Sequence, residues 1–216
     1  MEPLDEIKNE FMIERITFFS DAVFAIAMTL LIIDIRIPDF PGPITDSQFA
    51  HALVALIPKL FSFVVSFVTI SSIWASHHKQ FRHVLRYDHR LIRLNLFLLF
   101  FVVVIPFTTS LFGRFSYIPL AGFIYCMNIA IANLVLLFIW LYIANPKRNI
   151  SNGLGNPALR RFIVVSSLIV PVVFTFTGLL CWIVRVGWQY FFLYTIFPLY
   201  SIVIRRYRRR YGEIKL

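Results

Sequence analysis

The chain is built from long apolar runs that are almost empty of charge. Residues 17–33 hold one ionisable group, Asp21, and 60–76 hold none, with a further apolar stretch, 49–58, just before them across Lys59. Comparable runs occupy 94–113, 115–146, 162–184 and 186–204. A helix needs about 20 mostly apolar residues to cross the hydrocarbon core of a bilayer. Every backbone N–H and C=O in hydrocarbon must be paired within the protein, and runs of this length are too long for barrel strands, so helices are the form that fits. The expected fold class is all-α, a polytopic membrane protein with six transmembrane helices at about residues 17–36, 49–76, 91–113, 117–144, 161–184 and 187–204. The connections are short, so 1–216 reads as a single six-helix unit.

Composition supports this. Hydrophobic residues make up 59% of the chain and charged residues 15%, where a soluble domain carries about 25% charged residues. A soluble globule of this composition lacks the charge to cover its surface, and a disordered chain would not carry so much apolar surface to bury. Cys126 and Cys181 lie inside apolar runs with no metal-ligand or disulfide spacing and read as buried free thiols.

Charge sets the orientation. With both termini cytoplasmic, seventeen of the 21 lysines and arginines fall on inner segments, and four (Arg36, Lys59, Arg114 and Arg185) fall outside. This is a strong positive-inside bias, so the formal net charge of +10 is mainly a topology signal and not a nucleic-acid footprint. The 205–210 arginine cluster reads as a lipid-headgroup anchor. The first segment is acidic, with Glu2, Asp5, Glu6, Glu10 and Glu14 against Lys8, unlike the basic start of a signal peptide, so the first apolar run is expected to remain as span one. Trp140, Trp182 and Trp188 lie near span ends, where interfacial aromatics belong.

Span one carries the information. Asp21 sits one turn into it, and an unpaired aspartate in a membrane helix is costly, so it should face protein. In the assigned topology Ser20, Asp21, His77, His78 and Asn95 share one depth, with Trp74 a turn before His77. Hydroxyl, imidazole and amide donors around a carboxylate make a satisfiable network that pins three helices. Farther along, Ile26, Leu30 and Ile33 recur at i, i+4 and i+7 and form one apolar stripe, with Thr29 beside it and Asp34 at its outer end. From spacing alone, that stripe packs against another helix or lipid.

The stretch Arg15-x-x-x-Phe19-Ser20-Asp21, running on to Asp34-Ile35-x-x-Pro38, resembles the first helix of the endosomal and lysosomal potassium channel family (transmembrane protein 175 type). Trp74-x-x-His77-His78-x-x-Phe81, Asp88, Leu94-Asn95-Leu96 and Pro106-Phe107 resemble the second and third helices of its prokaryotic members. The resemblance implies a homotetramer of six-helix units in the cell membrane, with the first helix of each subunit lining a central pore for potassium ions and no further cofactor. It makes Ile26, Leu30 and Ile33 the pore-facing apolar layers, Ile26 the narrowest, and Thr29 a polar contributor to selectivity. Arg15, Phe19, Ser20 and Asp21 become the motif anchoring that helix to helices two and three. The chain has no Thr-x-Gly-Tyr-Gly sequence, so selectivity from a ring of backbone carbonyls is not available to it. A narrow ring of isoleucines instead strips part of the hydration shell and favours weakly hydrated potassium, while Asp34 and Asp39 at the outer mouth raise the local cation concentration.

Three rivals stand beside this reading. A proton-conducting or proton-coupled transporter would use Asp21 and His77/His78 as a relay. An intramembrane metalloenzyme is disfavoured because adjacent helical histidines point about 100° apart. In a voltage sensor, Arg82, Arg86, Arg90 and Arg93 would act as gating charges. His83, Asp88 and His89 are interleaved with them, so the segment is expected to be a cytoplasmic helical extension, with weak voltage dependence.

Overall fold

The computed structural model describes residues 3–151, 157–184 and, near the carboxyl end, 202, 205 and 206. The regular elements are α1 (Pro3–Ile33), α2 (Asp46–Ala55), α3 (Ile57–Phe81), α4 (His89–Arg114), α5 (Pro119–Ile143), a 3-10 turn at Pro146–Arg148, and α6 (Pro157–Val184). Among the described residues, five stretches are long and apolar enough to cross a membrane: Asn9–Ile33, Asp46–Phe81, His89–Arg114, Pro119–Ile143 and Arg160–Val184. The sixth expected span, 187–204, lies outside the described residues except for 202, and Trp188 lies outside them too.

The second expected span is two helices. Thr45 starts α2 with a capping box: its side chain accepts from Gln48 N–H, and the Gln48 side chain accepts from Thr45 N–H. The helix breaks at Leu56, and Pro58 lies in the first turn of α3, where its missing N–H is not needed. No residue of α2 is buried.

α1 packs against α3 and α4, α4 packs against α5, and α5 packs against α6. One apolar core joins Phe24, Ala27 and Leu31 of α1 to Ile70 and Ile73 of α3, Leu98, Val102 and Ile105 of α4, and Ala132, Val135 and Ile139 of α5. A second core gathers Phe112, Tyr125, Cys126, Ile129 and Phe174 between α4, α5 and α6. Polar side chains join the helices inside these layers, as membrane bundles favour. The Ser66 hydroxyl meets those of Thr109 at 2.7 Å and Tyr125 at 3.0 Å, and Asn128 donates to Thr108 Oγ at 3.3 Å. Pro106 and Pro171 are carried within α4 and α6. Trp140 is buried, edge-on to His83 at 5.6 Å, whereas Trp182 is half exposed.

The basic stretch after α3 is not a helical extension. α3 ends at Phe81, and residues 82–88 form a turn and loop before α4. Val84 folds back into the core, and Leu85 N–H donates to Ile150 C=O at 2.8 Å, tying this loop to the α5–α6 connection. Asp88 then caps α4, accepting from Leu91 N–H at 2.7 Å, and its other oxygen accepts from the Tyr142 hydroxyl. Arg148 lies over the Tyr142 ring, 4.2 Å from its centroid.

Cys126 and Cys181 are both free and fully buried between α5 and α6, where their side chains hydrogen-bond to each other. Gly178 of α6 presses on the same point: a Cβ there would lie 3.0 Å from Cys126 Cβ and 3.0 Å from Met127 Cε. Gly→Ala in a helix interior ordinarily gains about 1 kcal/mol in propensity. Here overpacking, typically about 1–3 kcal/mol, opposes that gain. Gly178→Ala should therefore bring no stabilisation and Gly178→Leu a clear loss, read as melting temperature in detergent. An alanine variant that melts distinctly higher than wild type would show that the helices are not in close contact here.

Candidate functional site

α1 has two unlike faces. Ser20, Phe24, Ala27 and Leu31, at i, i+4, i+7 and i+11, are all 3% exposed or less. On the other side Phe19, Ile26, Leu30 and Ile33 are 54%, 57%, 40% and 54% exposed, and Ala22, Ala25 and Thr29 lie open among them. The stripe expected from spacing thus exists as a continuous surface that no described residue of the chain covers. The Thr29 hydroxyl donates to Ile26 C=O of its own helix at 2.9 Å, so its outward-facing capacity is that of an acceptor.

The buried face is fixed by a hydrogen-bonded chain across three helices. Ser20 Oγ donates to Ile16 C=O at 2.8 Å and accepts from Asn95 Nδ2 at 2.9 Å, while Asn95 Oδ1 meets His77 Nε2 at 2.9 Å. A carbonyl oxygen accepts, so the His77 proton sits on Nε2. His77 Nδ1 is then a bare acceptor, buried without a partner among the described residues. The imidazole stacks on Phe81 at 4.2 Å and tilts against Phe24 of α1 at 5.6 Å.

Asp21 stands apart from this chain. It is half-buried and accepts from the Trp74 indole N–H at 2.8 Å. The network expected around one carboxylate is therefore two joints, in which Asn95 serves the Ser20 hydroxyl and Trp74 serves Asp21. His78 is exposed and lies beside the Trp74 ring at 5.9 Å, pointing away from buried His77 as helical geometry requires. Arg15 and Phe19, expected to anchor α1, both lie on its exposed side. Arg15 is exposed, with Met12 Sδ at 3.9 Å and the Phe11 ring at 5.8 Å.

At the opposite end of α1, Asp34 is not an open charge. Its carboxylate pairs with Arg114 at the end of α4, with Nε at 3.1 Å and a second, shorter contact from the same guanidinium. Burial acts to raise the Asp34 carboxyl, but hydrogen bonds from Arg114 and Ser110 and the charges of Arg114 and Lys59 outweigh it and hold the group below the usual carboxylate range. Asp39 is exposed and has no ion-pair partner among the described residues. The sequence reading missed Arg114. Its one signal was that it is among four cations placed on the outer side.

A sequence model of the family described as endosomal/lysosomal potassium channel TMEM175 matches residues 15–106, the segment that holds both joints at the Ser20 end. A potassium channel of Streptomyces collinus is 43% identical over 101 residues, 47% of this chain and 48% of that protein. An endosomal/lysosomal proton channel TMEM175 of Danio rerio is 37% identical over 103 residues, 45% of this chain and 20% of its own length. The crystal structure of a lysosomal potassium-selective channel TMEM175 homolog from Chamaesiphon minutus superposes with a TM-score of 0.72 at 26% identity, covering 91% of this chain and 98% of that one. The chain spans about half the length of the bacterial curated relative it matches and a fifth of the vertebrate one.

Asn95→Leu leaves the buried His77 Nε2–H without an acceptor, and a loss of about 1–3 kcal/mol is expected, seen as a lower melting temperature and lower monodisperse yield. An unaltered melt would show that the chain of bonds is not holding the helices. On the arginine-rich side, burial acts to raise the Asp88 carboxyl, but the Tyr142 hydroxyl, the Leu91 and Arg90 N–H groups and the Arg148 charge hold it below its ordinary value. A depressed carboxyl stabilises the fold above the ordinary value of 3.8 and loses that contribution as pH falls through the folded one. Asp88→Asn keeps a capping oxygen, so its melting temperature should fall less steeply than that of wild type over the acid range. Parallel acid profiles would count against the Tyr142–Asp88 bond.

Proposed function

We propose that this chain is a potassium-preferring cation channel of the prokaryotic branch of the TMEM175 family, whose model is matched by residues 15–106. In this reading four copies assemble in the cell membrane, both termini cytoplasmic, with α1 of each copy around a central water-filled path. The observation that carries it is the two-sidedness of α1. One face is locked to α3 and α4, and the other presents Ile26, Leu30 and Ile33 to a space that no described residue fills. The names of the bacterial relatives support the choice of potassium.

The mechanism follows from the side chains. A hydrated cation entering a ring of Ile26 side chains gains no carbonyl ligands there, so passage is governed by how readily its shell deforms. Potassium holds its water less tightly than sodium and crosses at lower cost. An apolar ring can also close by dewetting without any large movement. Thr29, with its proton committed to the Ile26 carbonyl, offers acceptor oxygens between the Ile26 and Ile33 layers. Asp39 is the outer acid whose charge remains open to attract cations, which reach the path as permeant ions and not as a resident cofactor.

The printed name of the zebrafish relative supports a second reading, a proton-conducting channel or proton-coupled transporter using Asp21 and His77/His78. Against it, Asp21 bonds to Trp74 while His77 bonds to Asn95, so no hydrogen bond joins the two among the described residues. Ion replacement separates the readings. Purified protein in liposomes should give a reversal potential that follows the potassium gradient, with sodium flux smaller. Currents set by the pH gradient alone would favour the proton reading. Ile26→Asn should wet the constriction, raise conductance and reduce discrimination against sodium. Current and selectivity identical to wild type would remove Ile26 as the narrow point.

A further inference from the structure

We propose that Asp34 and Arg114 form a positioning pair that sets the outer end of α1, and with it the Ile33 layer, in place of acting as separate charges at a cation mouth. The inference rests on the channel reading above and concerns the same path.

α1 ends at Ile33, where Ile35 N–H donates to Ile32 C=O at 3.0 Å, and residues 35–44 carry no regular helix. Two side chains add to this backbone closure. Arg36 Nε donates back to Ile33 C=O at 3.4 Å, a cation on the carbonyl end of the helix. Asp34 reaches sideways to Arg114 of α4, and Ser110, one turn earlier on α4, adds a hydrogen bond to the same carboxylate. Lys59 at the start of α3 contributes its charge. The three helices meet around a cavity of about 10 Å³ lined by Leu31, Asp34, Lys59, Phe63, Thr109 and Gly113, among others, which is about the room of one water.

Exposure shows what this pair can do. The two side chains are 54% and 22% exposed, and an ion pair in that setting adds little to overall stability. What it fixes is direction. Asp34 is the neighbour of Ile33, and a helix turns about 100° per residue, so holding the Asp34 carboxylate on α4 holds the rotation at which Ile33 leaves the axis. Arg114 also cancels the carboxylate charge, which removes Asp34 as an attractor for cations.

The two roles predict opposite patterns for single neutralisations. If the groups act as separate mouth charges, Asp34→Asn lowers potassium conductance at low ionic strength and Arg114→Gln raises it. If they act as a positioning pair, both variants shift the potassium-to-sodium flux ratio in the same direction, a several-fold loss. The exchange Asp34→Arg with Arg114→Asp then returns it toward wild type. We expect the second pattern in liposomes, with Arg114→Lys giving a partial loss because the guanidinium fork is gone. Conductance changes of opposite sign, or no change in either single variant, overturn the proposal. If wild-type vesicles carry no potassium flux, the channel reading fails. The pair is then judged on the reactivity of an Ile33→Cys thiol toward a water-soluble reagent, which both single variants must shift in the same direction and the exchange must return, and unchanged or opposite shifts overturn it.

Discussion

A polar side chain in hydrocarbon has no water to fall back on, so its partner must come from the protein, while apolar contacts between membrane helices carry little preference over contacts with lipid. The fold is organised by that asymmetry. Phe24, Ile70, Leu98 and Ile139 fill space, but nothing in their chemistry dictates which neighbour each must meet. The direction comes from the polar joints. Ser20, Asn95 and His77 align α1, α4 and α3 at one level, and Thr109, Ser66 and Tyr125 align α4, α3 and α5 at another. Each joint is short and made of small or planar groups, which lets the backbones approach closely.

Five of the six expected spans were legible, because hydropathy is a property of a run and a run survives ignorance of its neighbours. Depth was legible for the same reason: counting turns from the charged ends placed Ser20, Asp21, His77 and Asn95 at one level. Partners were not, because depth is one coordinate and the rotation of each helix is the other. His77 and Trp74 lie three residues apart, enough to send the imidazole to Asn95 and the indole to Asp21. Sequence alone could not choose between that arrangement and a single cluster on the carboxylate. The Asp34–Arg114 pair spans 80 residues of chain and leaves no local trace.

The basic loop shows a different failure. Arg82, Arg86, Arg90 and Arg93 recur at spacings that imitate a helix, and the charge pattern hid the two residues that break it. Val84 must reach the core, and Asp88 supplies the cap from which α4 starts afresh. An apolar residue inside a charged stretch is informative, since its burial can outweigh the regularity of the charges around it. The same logic applies in reverse to α1. An apolar stripe looks equally suited to lipid, to another helix or to a water path, and the family resemblance, not the spacing, is what favours the water path.

The proposed channel has no rigid carbonyl ring, so its discrimination would depend on how firmly soft aliphatic side chains are held. Isoleucine and leucine side chains sample rotamers, and a constriction made from them has a defined width only if the helix carrying them is fixed in rotation. α1 meets that requirement through its other face. Phe24 packs against His77, and Ser20 hangs on Asn95, so the helix is gripped six residues before Ile26 and again two residues before it. The grip depends on α3 and α4, which means that a shift of those helices would turn α1 and alter the proposed Ile26 constriction directly. In such an architecture opening and ion preference are two readouts of one variable, the rotation of the first helix. A perturbation of the buried joint would then change both together.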